Sequence, residues 1–260
     1  MIQSTIEWTN DTWNPWQGCV KVSPGCKYCY MYRDKKRYGQ DPKSVIRSKP
    51  PTFNSPLTKL KGPLVFTCSW SDFFIDIADP WRNDAWSIIR QTPHLTYQIL
   101  TKRPERIINN LPNDWGSGWP NVWLGVSVEN NEQRWRMDVL RSVPAKLRFV
   151  SAEPLLEAVD LDLNDFGWVI SGGESGVGEK WRPAKIEWFL NIRDQCKEAN
   201  IPFFHKQHGG NKKHNKAWGG RLLEGRIWNE MPHYQVPKSI VQSVGTADKL
   251  RWATSGLGIS

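Results

Sequence analysis

The sequence predicts a single α/β domain over residues 1–210, built as a (β/α) barrel that is complete or slightly open. Short apolar runs recur at intervals of roughly 20 to 35 residues, and a helix-compatible segment follows each run, which is the pattern of alternating strands and helices. Polar and charged residues follow these runs rather than precede them. In barrels of this class the functional groups collect at the carboxyl ends of the strands.

Seven apolar runs are predicted strands, at 6–8, 64–67, 96–100, 122–126, 147–150, 168–170 and 201–205. Helices are expected from Cys29 onward, over 80–90 and 104–110, in a charged segment that ends at Leu140, and over 186–199. Cys196 lies on the apolar face of the last helix and is predicted to be a core residue. Residues 40–62 contain four prolines and are expected to form an extended excursion without regular structure.

Composition and charge limit the possible partners. The net charge of +9 suits a polyanion such as nucleic acid, although an ordinary basic surface has the same composition. The sixteen Trp are either stacking platforms for bases or core and rim residues. No signal peptide and no apolar run of membrane-spanning length occurs, so we expect a soluble cytoplasmic protein with no membrane partner.

The predicted C-terminal extension, residues 211–260, contains a basic cluster with one aromatic residue. It is either a nucleic-acid surface or an ordinary charged tail, and its members are Lys212, Lys213, His214, Lys216, Trp218 and Arg221.

Three of the five cysteines, Cys19, Cys26 and Cys29, fall within eleven residues. Their spacing is Cys-x6-Cys-x2-Cys, and the close Cys26/Cys29 pair is a common clamp for zinc or an iron–sulfur cluster. An odd number of clustered cysteines does not suit a secreted disulfide framework and indicates a reducing compartment.

Three thiolates are one fewer than a closed tetrahedral site needs. A zinc ion would take its fourth ligand from Cys68, His205 or His208. A 4Fe-4S cluster would have three irons held by cysteine and a fourth open to an exogenous ligand. The third alternative is that these cysteines bind no metal.

Several motifs together make the sequence similar to the three-cysteine-motif family, a largely uncharacterised group common in phages and prophages that resembles radical S-adenosylmethionine enzymes. The matches extend from residue 6 to about 232. They comprise Trp13-Asn14-Pro15, Gly18-Cys19, Ser23-Pro24-Gly25-Cys26, Cys29-Tyr30, Ser69 through Asp72, Leu100 through Pro104, Ser151 through Leu155, Gly172 through Gly176 and Pro202-Phe203-Phe204.

The resemblance implies a radical-S-adenosylmethionine-like barrel with a 4Fe-4S cluster on the three cysteines, S-adenosylmethionine on the open iron and an external electron donor. Tyr28 occupies the aromatic position next to the last cysteine. The expected reaction is reductive cleavage of the cofactor to a 5′-deoxyadenosyl radical, which abstracts hydrogen from a substrate. The gap of six residues between Cys19 and Cys26 departs from the commonest spacing of that superfamily, which is three.

The charge, the aromatic content and the family's association with phages suggest a nucleic acid or nucleotide as the substrate, for modification or repair. Two other functions fit the residues. One is a zinc-binding nucleic-acid-binding module without radical chemistry. The other is a metal-free hydrolase that uses Glu153 and Glu174.

Two strand ends are candidates for the cofactor's methionyl amine. The Gly172-Gly173-Glu174 segment resembles the Gly-Gly-Glu segment that has this role in radical S-adenosylmethionine enzymes, but it follows the sixth predicted strand rather than the second. Its glycines permit close approach to a ligand, and a tight turn with a solvated Glu is the alternative. After the second strand we predict that Ser69 and Asp72 bind the amine; otherwise they cap the next helix.

Three further strand ends carry candidate binding residues. Thr101 and Lys102, as cofactor contacts, and Arg103, as a substrate contact, suit a carboxylate or phosphate. Glu153 is expected to point into the barrel mouth and contact the cofactor, unless it forms a salt bridge with Lys102 or Arg148. The seventh strand ends in the candidate substrate contacts Lys206, Gln207 and His208.

Overall fold

A computed structural model of the chain describes residues 4–177, 180–211 and 219–233. Most of the predicted basic cluster of the extension, from Lys212 to Trp218, lies outside the described residues, whereas Arg221 lies within them. Among the described residues, none of the helices combines the length and the apolar character needed to cross a lipid bilayer.

The centre of the molecule is a parallel sheet of seven strands whose spatial order follows the chain. Most residues of its strands are buried, and the central strands are rich in apolar residues, as buried parallel strands are. The strands are β1 (Asp11–Trp13), β2 (Leu64–Thr67), β3 (Thr96–Thr101), β4 (Val122–Ser127), β5 (Leu147–Ala152), β6 (Trp168–Gly172) and β7 (Phe203–Gln207).

The predicted (β/α) barrel is wrong, because the sheet is open and curled into a half barrel whose edge strands β1 and β7 do not pair. The free edge of β7 is bonded instead by the chain that follows: His205 N donates to Trp228 O at 2.9 Å, and Glu230 N donates to Phe203 O at 3.0 Å. With seven strands and an edge strand of three residues, the sheet does not reach the eight strands that close a barrel of this class.

The predicted first strand at 6–8 is also wrong, since β1 begins at Asp11. The apolar run ends instead at Trp8, which packs over the concave face of the sheet. Its ring centroid lies 4.6 Å from that of Phe66 on β2 and 6.0 Å from that of Trp168 on β6.

The helices are α1 (Tyr30–Arg37), α2 (Pro50–Phe53), α3 (Ser55–Thr58), α4 (Asp79–Gln91), α5 (Trp135–Arg141) and α6 (Ile186–Glu198). Single 3₁₀ turns occur at Pro24–Cys26, Asp76–Ala78, Pro104–Arg106, Ile108–Asn110 and Asn131–Gln133. The predicted helix over 104–110 is therefore two separate 3₁₀ turns.

Residues 40–62 are more regular than predicted. They contain α2, α3 and the short strand Ile46–Arg47, which pairs antiparallel with Trp16–Gln17. Two further pairs of two-residue strands are Ser175–Gly176 with Gly210–Asn211, and Leu222–Leu223 with Arg226–Ile227.

The main core lies between the sheet and the helices and includes Cys196, whose predicted burial is confirmed. A second apolar cluster fills the lower part of the concave face with Trp8, Leu64, Phe66, Trp123, Phe149, Trp168, Ile170 and Phe204. Gly125 on β4 allows this filling, because a Cβ there would overlap the ring of Phe149. The concave side is therefore open only toward the carboxyl ends of the strands.

Candidate active site at the carboxyl ends of the strands

A cavity of about 640 Å³ lies above the aromatic cluster, between the cysteine-containing loop, α1 and the carboxyl ends of the strands. Most of the predicted site residues line it: Cys19, Cys26, Tyr28, Cys29, Ser69, Asp72, Thr101, Lys102, Arg103, Glu153, Gly173, Glu174 and Lys206. Gly172, Gln207 and His208 do not line it. The parallel order of the strands accounts for this convergence, because their carboxyl ends meet at one edge.

The cysteine loop, residues 18–29, is fixed at its first residues. Gly18 has φ +96°, and a Cβ there would overlap Ser44 O, so no other residue fits this position. Cys19 N donates to Pro42 O at 3.0 Å, and Ser71 Oγ donates to Gly18 O at 2.6 Å. The excursion after α1 and the segment after β2 therefore hold the first cysteine in place.

Arg103 connects Cys19 to the strand ends. Its guanidinium donates to Val20 O at 2.7 Å and to Asp72 Oδ2 at 3.1 Å, and its Nη1 lies 3.9 Å from Cys19 Sγ. The predicted substrate contact is thus 7% exposed and bonded to the loop and an acid. Its position beside Cys19 favours the thiolate form of that cysteine.

Asp72, predicted to bind the cofactor amine, uses both carboxylate oxygens within the protein. It accepts from Phe74 N at 2.9 Å, Thr101 Oγ1 at 2.7 Å and Lys102 N at 2.9 Å, as well as from Arg103. The Thr101 hydroxyl uses its hydrogen in this bond to Asp72. These residues therefore tie the end of β2 to the end of β3, and the predicted direct contact of Asp72 and Thr101 with a ligand is not what the geometry favours.

Ser69, the other residue predicted to bind the amine, lies on the cavity wall and bonds to the side chain of Asn14. Asn14 Nδ2 donates to Ser69 Oγ at 3.0 Å, and Asn14 Oδ1 accepts from Trp70 N at 2.8 Å. Tyr30 Oη donates to Ser69 O from the first turn of α1. Asn14, from the Trp13-Asn14-Pro15 motif, thus holds the loop that follows β2.

Glu129 holds the middle of the cysteine loop, and the sequence interpretation missed it. Its carboxylate is fully buried and accepts from Ser23 Oγ at 2.7 Å, Lys102 Nζ at 2.5 Å and Arg136 Nη1 at 2.8 Å. A Cβ on Gly25 would overlap Glu129 Oε1, so the loop lies directly on this carboxylate. The available signal was its position, because Glu129 follows β4 as Glu153 follows β5.

Glu174 holds the same loop from the other side. Its carboxylate forms a two-point ion pair with Arg182, whose Nη2 also donates to Pro24 O at 3.0 Å. The expected solvated or ligand-binding Glu174 is therefore 3% exposed and committed to Arg182, which no sequence pattern had indicated. This commitment also argues against its use as a free hydrolytic acid.

The paired glycines pack against protein rather than against open space. A Cβ on Gly173 would overlap His208 O, and a Cβ on Gly172 would lie 3.1 Å from the carboxylate carbon of Glu153. The expected close approach is thus to the chain that follows β7 and to Glu153. The two residues bring the ends of β6 and β7 together.

Three ion-paired glutamates, Glu129, Glu153 and Glu174, follow β4, β5 and β6, and Glu153 is the most exposed of them. Lys206 Nζ donates to its Oε1 at 2.6 Å, and Gln207 Nε2 lies 3.5 Å from the same oxygen, so Oε2 has no partner among the described residues. The alternative salt bridge to Lys102 or Arg148 does not form: Lys102 pairs with Glu129, and Arg148 donates to the carbonyls of Leu140 and Val143.

The lining of the cavity has more acidic than basic side chains, although the chain is basic. The acids are Asp11, Asp34, Asp72, Glu153 and Glu174, and the bases are Lys102, Arg103 and Lys206. Four of these acids form ion pairs, and the partners of Asp34 and Glu174 are Arg33 and Arg182, which lie outside the lining. The excess of acids in the lining is therefore balanced by cations directly behind it.

Cys26 and Cys68 are buried, and Cys19 and Cys29 are partly buried. Burial raises the pKa of Cys19 to about 12 and also raises the pKa of Cys29 and Cys68. Without a metal these thiols are neutral at physiological pH, and a bound metal ion supplies the positive charge that ionises them. Across the described residues, no three or more His, Cys, Asp or Glu side chains converge as a preformed metal site.

The proposed fourth zinc ligands differ in position. Cys68 lines the same cavity as the three cysteines. His205 and His208 lie on the side of β7 that faces α6, where His205 Nδ1 bonds to Ser171 Oγ at 2.9 Å and both rings pack on Phe189. The histidines are therefore excluded from a site shared with the cysteine loop.

Comparisons with curated proteins and with solved structures found no match. A family model described as a protein of unknown function (DUF5131) matches residues 3–232. The match includes the cysteine loop, all seven strands and the chain that covers the edge of β7. The chain therefore belongs to the DUF5131 family.

Proposed function

We propose that the chain is a radical S-adenosylmethionine enzyme that binds a 4Fe-4S cluster through Cys19, Cys26 and Cys29. The observation that carries the proposal is that these three cysteines line one cavity together with the strand-end carboxylates. S-adenosylmethionine carries a sulfonium and an ammonium cation, and the Glu153 oxygen that has no partner among the described residues favours an ammonium donor. When bound, a cluster with one open iron supplies the electron that cleaves the sulfonium and generates a 5′-deoxyadenosyl radical.

The residues around the loop act as positioning groups. Arg103 places a positive charge 3.9 Å from Cys19 Sγ, which favours the thiolate that a metal requires. Glu129 and Arg182 hold the two residues before Gly25, Glu129 through Ser23 Oγ and Arg182 through Pro24 O. The loop therefore has fixed anchors at its beginning and middle, as a site that must hold three thiolates in register requires.

Glu153 is the residue best placed to contact the cofactor or substrate directly. Asp72, Glu129 and Glu174 have their oxygens engaged by protein donors. Glu153 retains an oxygen toward the cavity and is held by Lys206, with the side chains 20% and 30% exposed. An ammonium or a ribose hydroxyl is a donor that this oxygen accepts. Lys206 then fixes the carboxylate rather than binding a ligand itself.

Anaerobic reconstitution with iron and sulfide tests the proposal. We expect about four irons per chain with visible iron–sulfur absorption, and 5′-deoxyadenosine after reduction with S-adenosylmethionine. Cys19→Ser, Cys26→Ser and Cys29→Ser should each lose iron, whereas the matched controls Cys68→Ser and Cys196→Ser should retain it. A colourless chain that contains one zinc would overturn the proposal.

Zinc held by four thiolates is the second candidate, in a nucleic-acid-binding module without radical chemistry. The observation that favours it is that Cys68 lines the cavity with the three loop cysteines, where burial, Asp72 and Cys19 raise the pKa of its thiol. Under this alternative Cys68→Ser loses the metal together with the three loop variants. Metal analysis of Cys68→Ser therefore separates the two candidates.

A further inference from the structure

The positive charge of the chain is concentrated in one segment. Residues 21–61 contain eleven Lys and Arg but two Asp, a net charge of +9 that equals the charge of the whole chain. The rest of the chain contains 24 basic and 24 acidic residues. The charge is thus a local feature of the cysteine loop, α1 and the excursion after it, here named the basic segment.

Most of these cations are free to meet a partner. Nine of the eleven are exposed, whereas Asp41 is the single exposed acid of the segment. Among the described residues, Arg47 alone of the nine has a carboxylate partner, Asp84 at 2.8 Å. An ordinary solvated face has acids interspersed among its cations, and the rest of the chain, with equal numbers of both, has that composition.

The basic segment forms a wall and a rim of the cavity. Tyr30, Met31 and Asp34 of α1 line the cavity, and the last turn of the same helix carries Lys36 and Arg37 on the outside. Lys43 lies next to the first cysteine, because Pro42 O accepts from Cys19 N and Ser44 O touches Gly18. Lys21, Lys27, Lys59 and Lys61 also adjoin residues of the lining, so exposed cations border the cavity, whereas most charged side chains inside it are paired within the protein.

We propose that the basic segment binds the phosphodiester backbone of a nucleic-acid strand, so that a base enters the cavity while the phosphates stay at its rim. The exposed cations of the basic segment attract phosphates, and none of the nine belongs to the lining of the cavity, so the phosphates stay outside it. Tyr38, 67% exposed after α1, offers a ring on which a base stacks. Enzymes that act on a base take it out of the helical stack into a pocket, which matches this division of charge.

Docking does not require the radical chemistry, but its interpretation as substrate binding rests on the proposed function. A membrane or an acidic protein would also be attracted by exposed cations. Neither would account for an exposed Tyr38 ring and a cavity beside these cations, so a nucleic acid, whose bases stack or enter a pocket while its phosphates meet the cations, is the partner that the observations favour together.

The test measures binding of labelled single-stranded DNA and RNA oligonucleotides to the full chain by fluorescence anisotropy over a range of salt concentrations. The test variant combines Lys36→Gln, Arg37→Gln and Lys43→Gln. The control variant removes three exposed cations outside the segment through Arg134→Gln, Lys185→Gln and Lys197→Gln. Each lost phosphate contact lowers the slope of log K against log salt by about 0.7 for single strands.

Three lost contacts therefore reduce the slope by about 2 and weaken binding about 100-fold at about 0.1 M salt. The control should bind as the natural sequence does. Equal losses in the two variants, or binding to phosphatidylserine vesicles or polyglutamate with none to either oligonucleotide, would overturn the proposal. The DNA and RNA arms identify which strand is bound.

Two further measurements separate this inference from the proposed function. Cys26→Ser should lose iron yet keep its affinity for the oligonucleotide. The triple variant should release 5′-deoxyadenosine in the absence of substrate at the rate of the natural sequence. Loss of oligonucleotide affinity in Cys26→Ser would show that the metal site, rather than the basic segment, creates the binding surface.

Discussion

Replacing Glu129 by Gln tests whether a buried charge holds the cysteine loop. The carboxylate is shared by Lys102 at 2.5 Å and Arg136 at 2.8 Å. Burial raises the pKa of Glu129, but Lys102 and Arg136 outweigh it and hold the pKa below its usual value, so the group is ionised at neutral pH. The substitution removes the charge and leaves Arg136, 1% exposed, without an acid.

Breaking a buried ion pair by removing one partner costs about 3–5 kcal/mol. Arg136 keeps a hydrogen bond to Ser127 O at 2.8 Å, and the side chain of Lys102 is 21% exposed and reaches water. We therefore expect the lower end, about 3 kcal/mol, which for a chain of this size corresponds to a fall in Tm of roughly 6–12 °C.

Thermal unfolding followed by circular dichroism measures this difference, with Glu132→Gln as the matched control. Glu132 is exposed and forms no ion pair with any described residue, so its replacement should change the free energy of unfolding by less than about 0.5 kcal/mol. The control lies three residues from the tested site on the same loop, which keeps the local backbone comparable.

The pH dependence supplies a second readout. Because the pKa of Glu129 is lower in the folded state than in the unfolded state, its stabilisation is present above the unfolded value of about 4.3 and is lost as the pH falls through the folded value. The difference between the natural sequence and Glu129→Gln should therefore shrink below about pH 4. A variant as stable as Glu132→Gln at pH 7 that also takes up full iron would refute the anchoring role.

Two other predictions concern the loop and β7. Gly25→Ala should lower the free energy of unfolding by about 1–3 kcal/mol, because its Cβ overpacks against Glu129, and should lower iron uptake. Gly167→Ala, whose Cβ would lie 3.4 Å from Leu147, should do neither. Equal unfolding temperatures for the two variants would contradict this prediction. Burial lowers the pKa of His205 to about 3, so only the unfolded state gains its proton as the pH falls through about 6.5. The free energy of unfolding of the natural sequence should therefore fall by about 2 kcal/mol between pH 7.5 and 5, and His205→Gln should not show this loss. Parallel pH profiles of the two chains would contradict the second prediction.

Strand positions could be predicted from the sequence, because buried parallel strands are local apolar runs. The run 64–67 coincides with β2, and those at 96–100 and 122–126 end one residue before β3 and β4 do. The first strand could not be found in this way. Asp11–Trp13 contains two polar residues and is held by long-range bonds, such as Gly62 N to Asp11 Oδ2 at 2.9 Å.

Closure of the sheet depends on a choice that local periodicity does not contain. The edge of β7 has an alternative partner in Trp228 and Glu230, which bond to it from the chain after the domain predicted from sequence. Glu7 and Arg221 add an ion pair at 2.9 Å between the N-terminal segment and this later chain. A count of β and α units predicts a barrel, and only the pairing of these distant residues distinguishes a half barrel from it.

The strand-end residues lie together although the predicted barrel is wrong, because their convergence requires parallel neighbouring strands and not a closed sheet. Carboxyl ends of adjacent parallel strands meet at one edge in an open sheet as in a barrel. Thus Asp72 after β2 meets Arg103 after β3, and Lys102 meets Glu129 after β4. What the sequence could not provide is which charge pairs with which, since that depends on the cross-strand register.

Register therefore decides which strand-end acids are available for chemistry. Asp72, Glu153 and Glu174 all follow a strand, and each has a cation nearby. Residue type and position in the sequence therefore predict a ligand contact equally for all three. Asp72 and Glu174 have both oxygens bonded to protein donors, and Glu153 has one oxygen bonded to Lys206 and one toward the cavity. If this count of donors governs function, Glu153→Gln should impair 5′-deoxyadenosine formation while leaving iron content unchanged, and replacement of Asp72 should first reduce iron content through Arg103 and Cys19. The opposite order would show that Asp72 contacts the cofactor and that hydrogen-bond saturation in the structure does not mark the anchoring residues.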